Sequence, residues 1–346
     1  MPHKIQIIMM AAVNWNYIAQ AQQLLSKKFA DKNYKVIYVE PLPVRFGSLQ
    51  EFKCIFTRVI RMFHVKSPHH FNNENLHIIP LIGLPEKGPI TKSINSIFFL
   101  PLNLYRIRKK MDRCLETVIE CWKPLDIYYQ LINKLGKNNI LVYSCIDNYS
   151  YQFKAPRHLI EIEKKMVQDA EGVIAIADYV ASRLKAIRND IFMRDAAVDY
   201  ELFNSGDNGP FKEIKNVCFF GAISERINFK IINMIANKGI KTHLIGPIKR
   251  LPQNFNKNLK NIILTESVPY EQLPVLLKSM DIFIFPYMIN EYTKGIRLAK
   301  LYECFATGKP IVGTNIPSFK KYSDLIANDN RKLTTCDYRI LTTLSL

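Results

Sequence analysis

The chain is short of the signatures by which cofactor enzymes are usually recognised. Only 13 of its 346 residues are glycine, and none of these forms a G-x-G-x-x-G turn after the first apolar run, which removes the usual dinucleotide-binding loop. ATGKP contains Gly308-Lys309, but no glycine stands five positions earlier and Pro310 takes the place of the hydroxyl residue, so there is no P-loop. The seven cysteines (Cys54, Cys114, Cys121, Cys145, Cys218, Cys304, Cys336) make no C-x-x-C pair and no His-Cys cluster at metal spacing. That excludes a disulfide framework and a zinc site, and a reducing cytoplasm suits the chain. No apolar run reaches the roughly 18 residues needed to span a bilayer. The nearest, SINSIFFLPLNLY at 93–105, is broken by Asn95, Pro101 and Asn103. The opening MPHKIQIIMMAAVNWNY is too short for a secretory core and reads as a buried strand. A membrane can therefore be touched but not crossed.

Acids are also scarce: 30 Asp and Glu stand against 48 Lys and Arg, a formal charge of +18. Such an excess attracts anionic partners: nucleic acid, an acidic membrane surface or phosphorylated small molecules. Between Arg45 and Arg113 there are twelve Lys or Arg and four acids, in runs such as FKCIFTRVIRMFHVK and YRIRKKMDR interleaved with Phe, Ile, Val and Met. These runs read either as solvated basic helix faces or as faces for an anionic membrane. No zinc-finger spacing, RNP pattern or basic zipper accompanies the charge, so no nucleic-acid partner is expected.

The 48% of hydrophobic residues marks a folded protein, and its length favours two domains. KIQIIMMAA, NYIAQAQQLLSKKFADKNY and KVIYVEPLP form a strand-helix-strand unit. A strand is expected at LHIIPLI; the rhythm returns with LDIYYQ and NILVYSCID, then helix HLIEIEKKMVQDA, strand GVIAIA and a helix that Asp178 can cap. NSGDNGP at 204–210 is the strongest linker signal. After it come strand NVCFFGAI, helix NFKIINMIANKG, strands IKTHLIGP and NIILTES, helix YEQLPVLLKSM, strand DIFIFPY, helix RLAKLYECFATG and strand KPIVGT. The fold class expected is α/β, with two Rossmann-like domains facing each other across a cleft. Residues 1–205 form the N-terminal domain, 206–330 the C-terminal domain and 331–346 a tail that does not continue the pattern.

In parallel sheets, ligands collect at the carboxyl ends of strands. FFGAISER ends a strand in Gly221 and carries Arg226, where loop amides and a guanidinium can hold a diphosphate. Gly246-Pro247 makes another tight turn; Tyr270 lies in a loop able to flank a flat base; Tyr287, Asn290, Glu291 and Thr293 follow a buried strand. Lys300 and Glu303 share one helix face. They make a surface ion pair, or else the carboxylate accepts two hydrogen bonds from a vicinal diol while the ammonium balances phosphate charge. Asp147, at the end of SCIDNY, either deprotonates or positions an acceptor hydroxyl or caps the following turn through Asn148.

The stretch YEQLPVLLKSMDIFIFPYMINEYTKGIRLAKLYECFATGKPIVGT resembles the donor-binding segment of group 1 glycosyltransferases of the GT-B fold, the bacterial capsule, O-antigen and teichuronic-acid kind. YSCIDNYSYQFKAPRHLIEIEKKMVQDAEGVIAIADYVASRLK, AAVDYELF and NWNYIAQAQQLLSKKFADKNYKVIYVEPLP are similar to the family's N-terminal domain, so the resemblance runs over most of 5–330. It implies a cytoplasmic enzyme, peripheral to the inner face of the cytoplasmic membrane, that transfers a sugar from a nucleotide-diphosphate sugar to a lipid-linked glycan, with retention and without a cofactor or metal. In such an enzyme Glu303 binds the ribose, Val268-Pro269-Tyr270 flanks the base, Gly221 lies beside the diphosphate, and Arg226 and Lys300 stabilise it as it leaves. Asn14 and Trp15 fall where relatives contact donor or acceptor. Many relatives carry two glutamates eight positions apart; the first falls here on Gly295, with Glu291 out of register, and a common proline is Leu298. These departures, and a tail NRKLTTCDYRILTTLSL without the family's closing helix, open the alternative of an inactive or truncated paralogue that binds nucleotide or partner proteins without turnover.

Overall fold

The computed structural model describes residues 4–16, 20–42, 73–85, 88–136, 138–149, 158–204, 206, 213–249, 251, 255, 259–296, 299–320 and 322. Leu298, the basic run at 52–66, His69-His70, Cys54, Cys336 and the tail from 331, with any closing helix, lie outside them. The chain divides into two compact units, one formed by 1–176 and 180–194, the other by 177–179 and 195–346.

The first unit is built on seven strands: β1 (Ile5–Met10), β2 (Lys35–Glu40), β3 (Leu76–Pro80), β4 (Glu116–Cys121), β5 (Ile140–Cys145), β6 (Gly172–Ala175) and β7 (Ile191–Met193). They lie in the order β3-β2-β1-β4-β5-β6-β7, all parallel. Parallel neighbours need crossovers, and the helices Ala21–Asp31, Leu100–Lys110, Asp126–Leu135 and His158–Asp169 supply them. LDIYYQ opens the helix Asp126–Leu135, whose buried Ile127, Tyr128, Leu131 and Ile132 follow helical spacing. β4 escapes a hydropathy reading because Glu116 and Glu120 interrupt ETVIEC. Glu120 is nonetheless buried, where it accepts from Ser144 Oγ at 2.6 Å and from Arg194 at 2.8 Å.

The second unit holds β8 (Asn216–Phe220), β9 (Lys241–Ile245), β10 (Ile262–Thr265), β11 (Ile282–Phe285) and β12 (Ile311–Gly313) in the parallel order β10-β9-β8-β11-β12. Its central strands β8 and β11 read NVCFF and IFIF and are almost wholly buried, as a sheet covered on both faces requires. Phe219, Phe283 and Phe285 are fully buried, together with Ile232 and Ile235 from the helix Phe229–Asn237 and Leu301 and Cys304 from the helix Lys300–Thr307. Strand order reverses between β1 and β4 in the first sheet and between β8 and β11 in the second. Such switch points leave a crevice beyond the carboxyl ends of the strands, because the connections leave toward opposite faces.

Candidate functional site

At the second unit's switch point the chain leaves β8 through Gly221 and β9 through Gly246, with φ of +121° and +138°. Only glycine takes such values without strain. The two turns are also locked together: Gly221 N donates to Ile245 O at 2.8 Å, and Gly246 N to Thr265 O at 2.8 Å. A β-carbon on Gly246 would overlap the Gly221 carbonyl, and one on Gly221 would overlap Lys300 Nζ. The backbone at these strand ends is therefore bare, and an ammonium lies directly against it.

That ammonium is fixed by geometry alien to a surface ion pair. Lys300 Nζ donates to Phe220 O at 2.6 Å and lies 4.6 Å from the centroid of the Phe219 ring and 6.0 Å from that of Phe285. Aromatic faces and a carbonyl replace part of its hydration. No ion pair joins it to Glu303 among the described residues, which removes the surface-pair reading. Glu303 is half-buried one turn along the same helix, within electrostatic reach of the Tyr270 hydroxyl. Burial raises its pKa above the ordinary carboxylate value, while the Lys300 charge and the Tyr270 hydroxyl pull it back. Tyr270 is shifted up by burial and then by Glu303, and its ring packs 5.2 Å from Phe203.

Arg226, from the loop after β8, donates to Ser224 Oγ at 3.2 Å and to Tyr292 Oη at 3.3 Å, with its guanidinium 5.6 Å from the Tyr292 ring centroid. Its backbone carbonyl accepts from Met288 N, which ties this loop to the segment after β11. In that segment Thr293 is fully buried. Its hydroxyl donates within the loop, to the carbonyls of Met288 and Asn290, and Asn290 and Thr293 cap the short helix Glu291–Lys294 reciprocally. Thr293 thus shapes the loop through its hydroxyl. Glu291 is exposed, bound by Lys294 and the Tyr179 hydroxyl, and its pKa is lowered by those bonds. Gly221, Lys300, Glu303 and Tyr270 meet at the strand ends, and Arg226, Glu291 and Thr293 form the loops beside them.

The remaining predicted residues belong to the first unit. Asp147 follows β5, and its Oδ1 accepts from the amide of the next residue, Asn148 N, at 2.9 Å. Asn14 and Trp15 follow β1 at that sheet's switch point. Trp15 is buried edge-on against Tyr38 at 4.9 Å, and its amide donates to Glu40 at 2.7 Å, so its indole is a packing element. Asn14 offers its carbonyl to Gln23. Sequence reasoning missed the Phe219 and Phe285 rings beneath Lys300, which look like ordinary strand residues, and the Asn290-x-x-Thr293 cap, whose three-residue spacing was a readable signal. Burial pushes the Cys218 and Cys304 thiols up, so neither is a nucleophile at neutral pH. No group of His, Cys, Asp and Glu able to hold a metal occurs among the described residues.

The family model described as "Glycosyl transferases group 1" matches residues 209–335, which contain this site. In whole-chain structure, sucrose-phosphate synthase of Thermosynechococcus elongatus is similar with a TM-score of 0.64 at 14% identity, over 98% of this chain and 90% of that one. The chain has the GT-B fold, and its second unit is similar to the group 1 glycosyltransferase model over residues 209–335. Two other GT-B-like structures agree: Anabaena Alr3699/HepE in complex with UDP (TM-score 0.58, 12% identity, 100% of this chain and 90% of that one) and TarM (0.58, 12%, 98% and 91%). At such identities the likeness concerns the fold alone. In sequence, the GT-B chain is similar to TuaH of Bacillus subtilis (strain 168), a candidate teichuronic acid biosynthesis glycosyltransferase: 28% identity over 217 residues, 56% of this chain and 55% of TuaH. The alignment spans about half the length of that relative.

Proposed function

We propose that the protein transfers a sugar from a nucleotide-diphosphate sugar to a lipid-linked glycan in bacterial surface-polysaccharide assembly. The observation that carries this reading is the Lys300 ammonium lying against the bare Gly221 turn at a sheet switch point, one helical turn from a half-buried carboxylate. Backbone without side chains admits a diphosphate, and a cation already present there neutralises the charge that grows on the leaving group. To meet the phosphate, Lys300 exchanges its Phe220 carbonyl for a stronger anionic acceptor. Arg226 supplies the second positive group, Glu303 accepts the ribose diol with Tyr270 beside it, and the Val268-Pro269-Tyr270 loop flanks the base. Asp147 positions the acceptor hydroxyl. The family model and TuaH support this chemistry, and the resemblance favours retention of configuration and work at the inner face of the cytoplasmic membrane.

A second reading rests on Gly295. This position, a glutamate in many relatives, has no side chain here, and Glu291 is committed to Lys294 and Tyr179. A protein that binds nucleotide without turnover would look the same. A screen of uridine- and guanosine-diphosphate sugars with membrane lipid extract as acceptor separates the two. Transfer from one donor, reduced at least about a hundredfold in Lys300→Met by loss of leaving-group stabilisation, supports the enzyme. Nucleotide binding with no transfer from any donor supports the second reading.

A further inference from the structure

The first unit contains a helix that exposes large apolar side chains on its outward face. Pro89–Ile94, a π turn at Asn95–Phe99 and Leu100–Lys110 run as one continuous helix. Its inward face carries two amides beside the buried Leu100 and Ile107. Asn95 is buried, donating to Leu84 O and accepting from Leu84 N, both at 2.8 Å. Asn103 is buried too, donating to Ile82 O at 2.7 Å and accepting from Ile82 N at 3.1 Å. The outward face carries Ile90, Ile97, Phe98, Leu102 and Tyr105, of which Ile97, Phe98 and Tyr105 are 64%, 66% and 64% exposed. Two pairs of amide bonds fix this orientation, so the apolar face is not a core stripe that failed to dock. Pro101 accounts for the π turn, since it lacks an N–H and crowds the carbonyl one turn back. The extra residue in that turn brings Ile97 and Phe98 outward side by side.

Charge identifies what fits this face. From Gly88 to Met111 there is no Asp or Glu, but there are Lys92, Arg106, Arg108, Lys109 and Lys110. Arg106 is spent on the Pro80 carbonyl, whereas Lys109 and Lys110 are exposed beside the apolar stripe. An apolar stripe with a basic margin matches the boundary between acyl chains and acidic headgroups. A second copy of the chain would bring the same positive margin against itself. We infer that the Pro89–Lys110 helix is the element by which the protein seats on an anionic bilayer, with Ile97, Phe98 and Tyr105 entering the headgroup boundary and Lys109 and Lys110 meeting lipid phosphate. This deepens the membrane part of the proposed function and rests on that reading, but it does not depend on the donor site.

The test is co-sedimentation with phosphatidylcholine vesicles, with and without phosphatidylglycerol. The wild type should bind the anionic vesicles and release in high salt. Ile97→Ser with Phe98→Ser, at exposed positions that leave the fold intact by circular dichroism, should weaken binding at least about tenfold. Lys109→Gln and Lys110→Gln should each weaken it about fivefold. Absent binding, equal binding to pure phosphatidylcholine, or binding unchanged by the serine substitutions overturns the inference, as does a dimer by light scattering that the same substitutions abolish. UDP titration of the same samples reports the donor site separately, so failure of one reading is distinguishable from failure of the other.

Discussion

At Glu303, burial opposes the charge that a ribose contact uses. Its folded pKa is raised, so the folded state favours the proton: the group costs nothing below its unfolded value near 4.3 and costs stability as pH climbs through its folded value. Glu303→Gln should therefore melt higher than wild type at pH 8, with the difference closing toward pH 4, as read by thermal denaturation. A wild type that melts higher at pH 8 would show the carboxylate to be stabilised in the free protein. Gly221 is constrained by both its φ and the Lys300 ammonium. Gly221→Ala should cost about 1–3 kcal/mol by urea denaturation, from a backbone no alanine adopts freely, and should displace Lys300; a neutral effect would mean that the turn relaxes. The Lys300 and Glu303 spacing was legible in the sequence. That Lys300 turns to a carbonyl rather than to Glu303 was not, because the strand that supplies Phe220 is 80 residues away.

Among the elements, strands with unbroken apolar runs could be read directly, and β4 could not. Its buried Glu120 is tolerated only because Ser144 and Arg194, distant in sequence, satisfy it. The Pro89–Lys110 helix was legible as basic and apolar, but the inward turn of its two amides was not, since the partners of Asn95 and Asn103 are backbone groups whose position no side-chain pattern reveals. A third example is Lys309, which looked like half of a failed P-loop. Its ammonium donates to the carbonyls of Leu277 at 3.0 Å, Lys278 and Met280 at 2.7 Å, closing the end of the helix Leu273–Lys278 that leads into β11. Cations belong at helix C-termini, where carbonyls lack partners. Lys309→Met should lower stability by about 1–3 kcal/mol in urea, as expected for unsatisfied carbonyls, without altering nucleotide affinity beyond that loss.

For the whole molecule, the alternation of strand and helix was enough to specify two parallel sheets; the glycines at the ends of β8 and β9 stood out in the sequence, but the strand order that puts them at a switch point did not. Its net charge of +18 pointed to anionic partners without distinguishing them; the structure offers them a lysine against a bare turn in one unit and a helix with an outward apolar face and a basic margin in the other. The central claim is that the second unit binds a nucleoside diphosphate through Glu303 and Lys300. Calorimetric titration of the wild type with UDP and GDP, repeated with Glu303→Ala, tests it most directly. Binding of one nucleotide, weakened about 10–100-fold by the substitution as for loss of hydrogen bonds to a charged acceptor, is the predicted result. Binding of neither nucleotide, or an affinity that Glu303→Ala leaves unchanged, would contradict it.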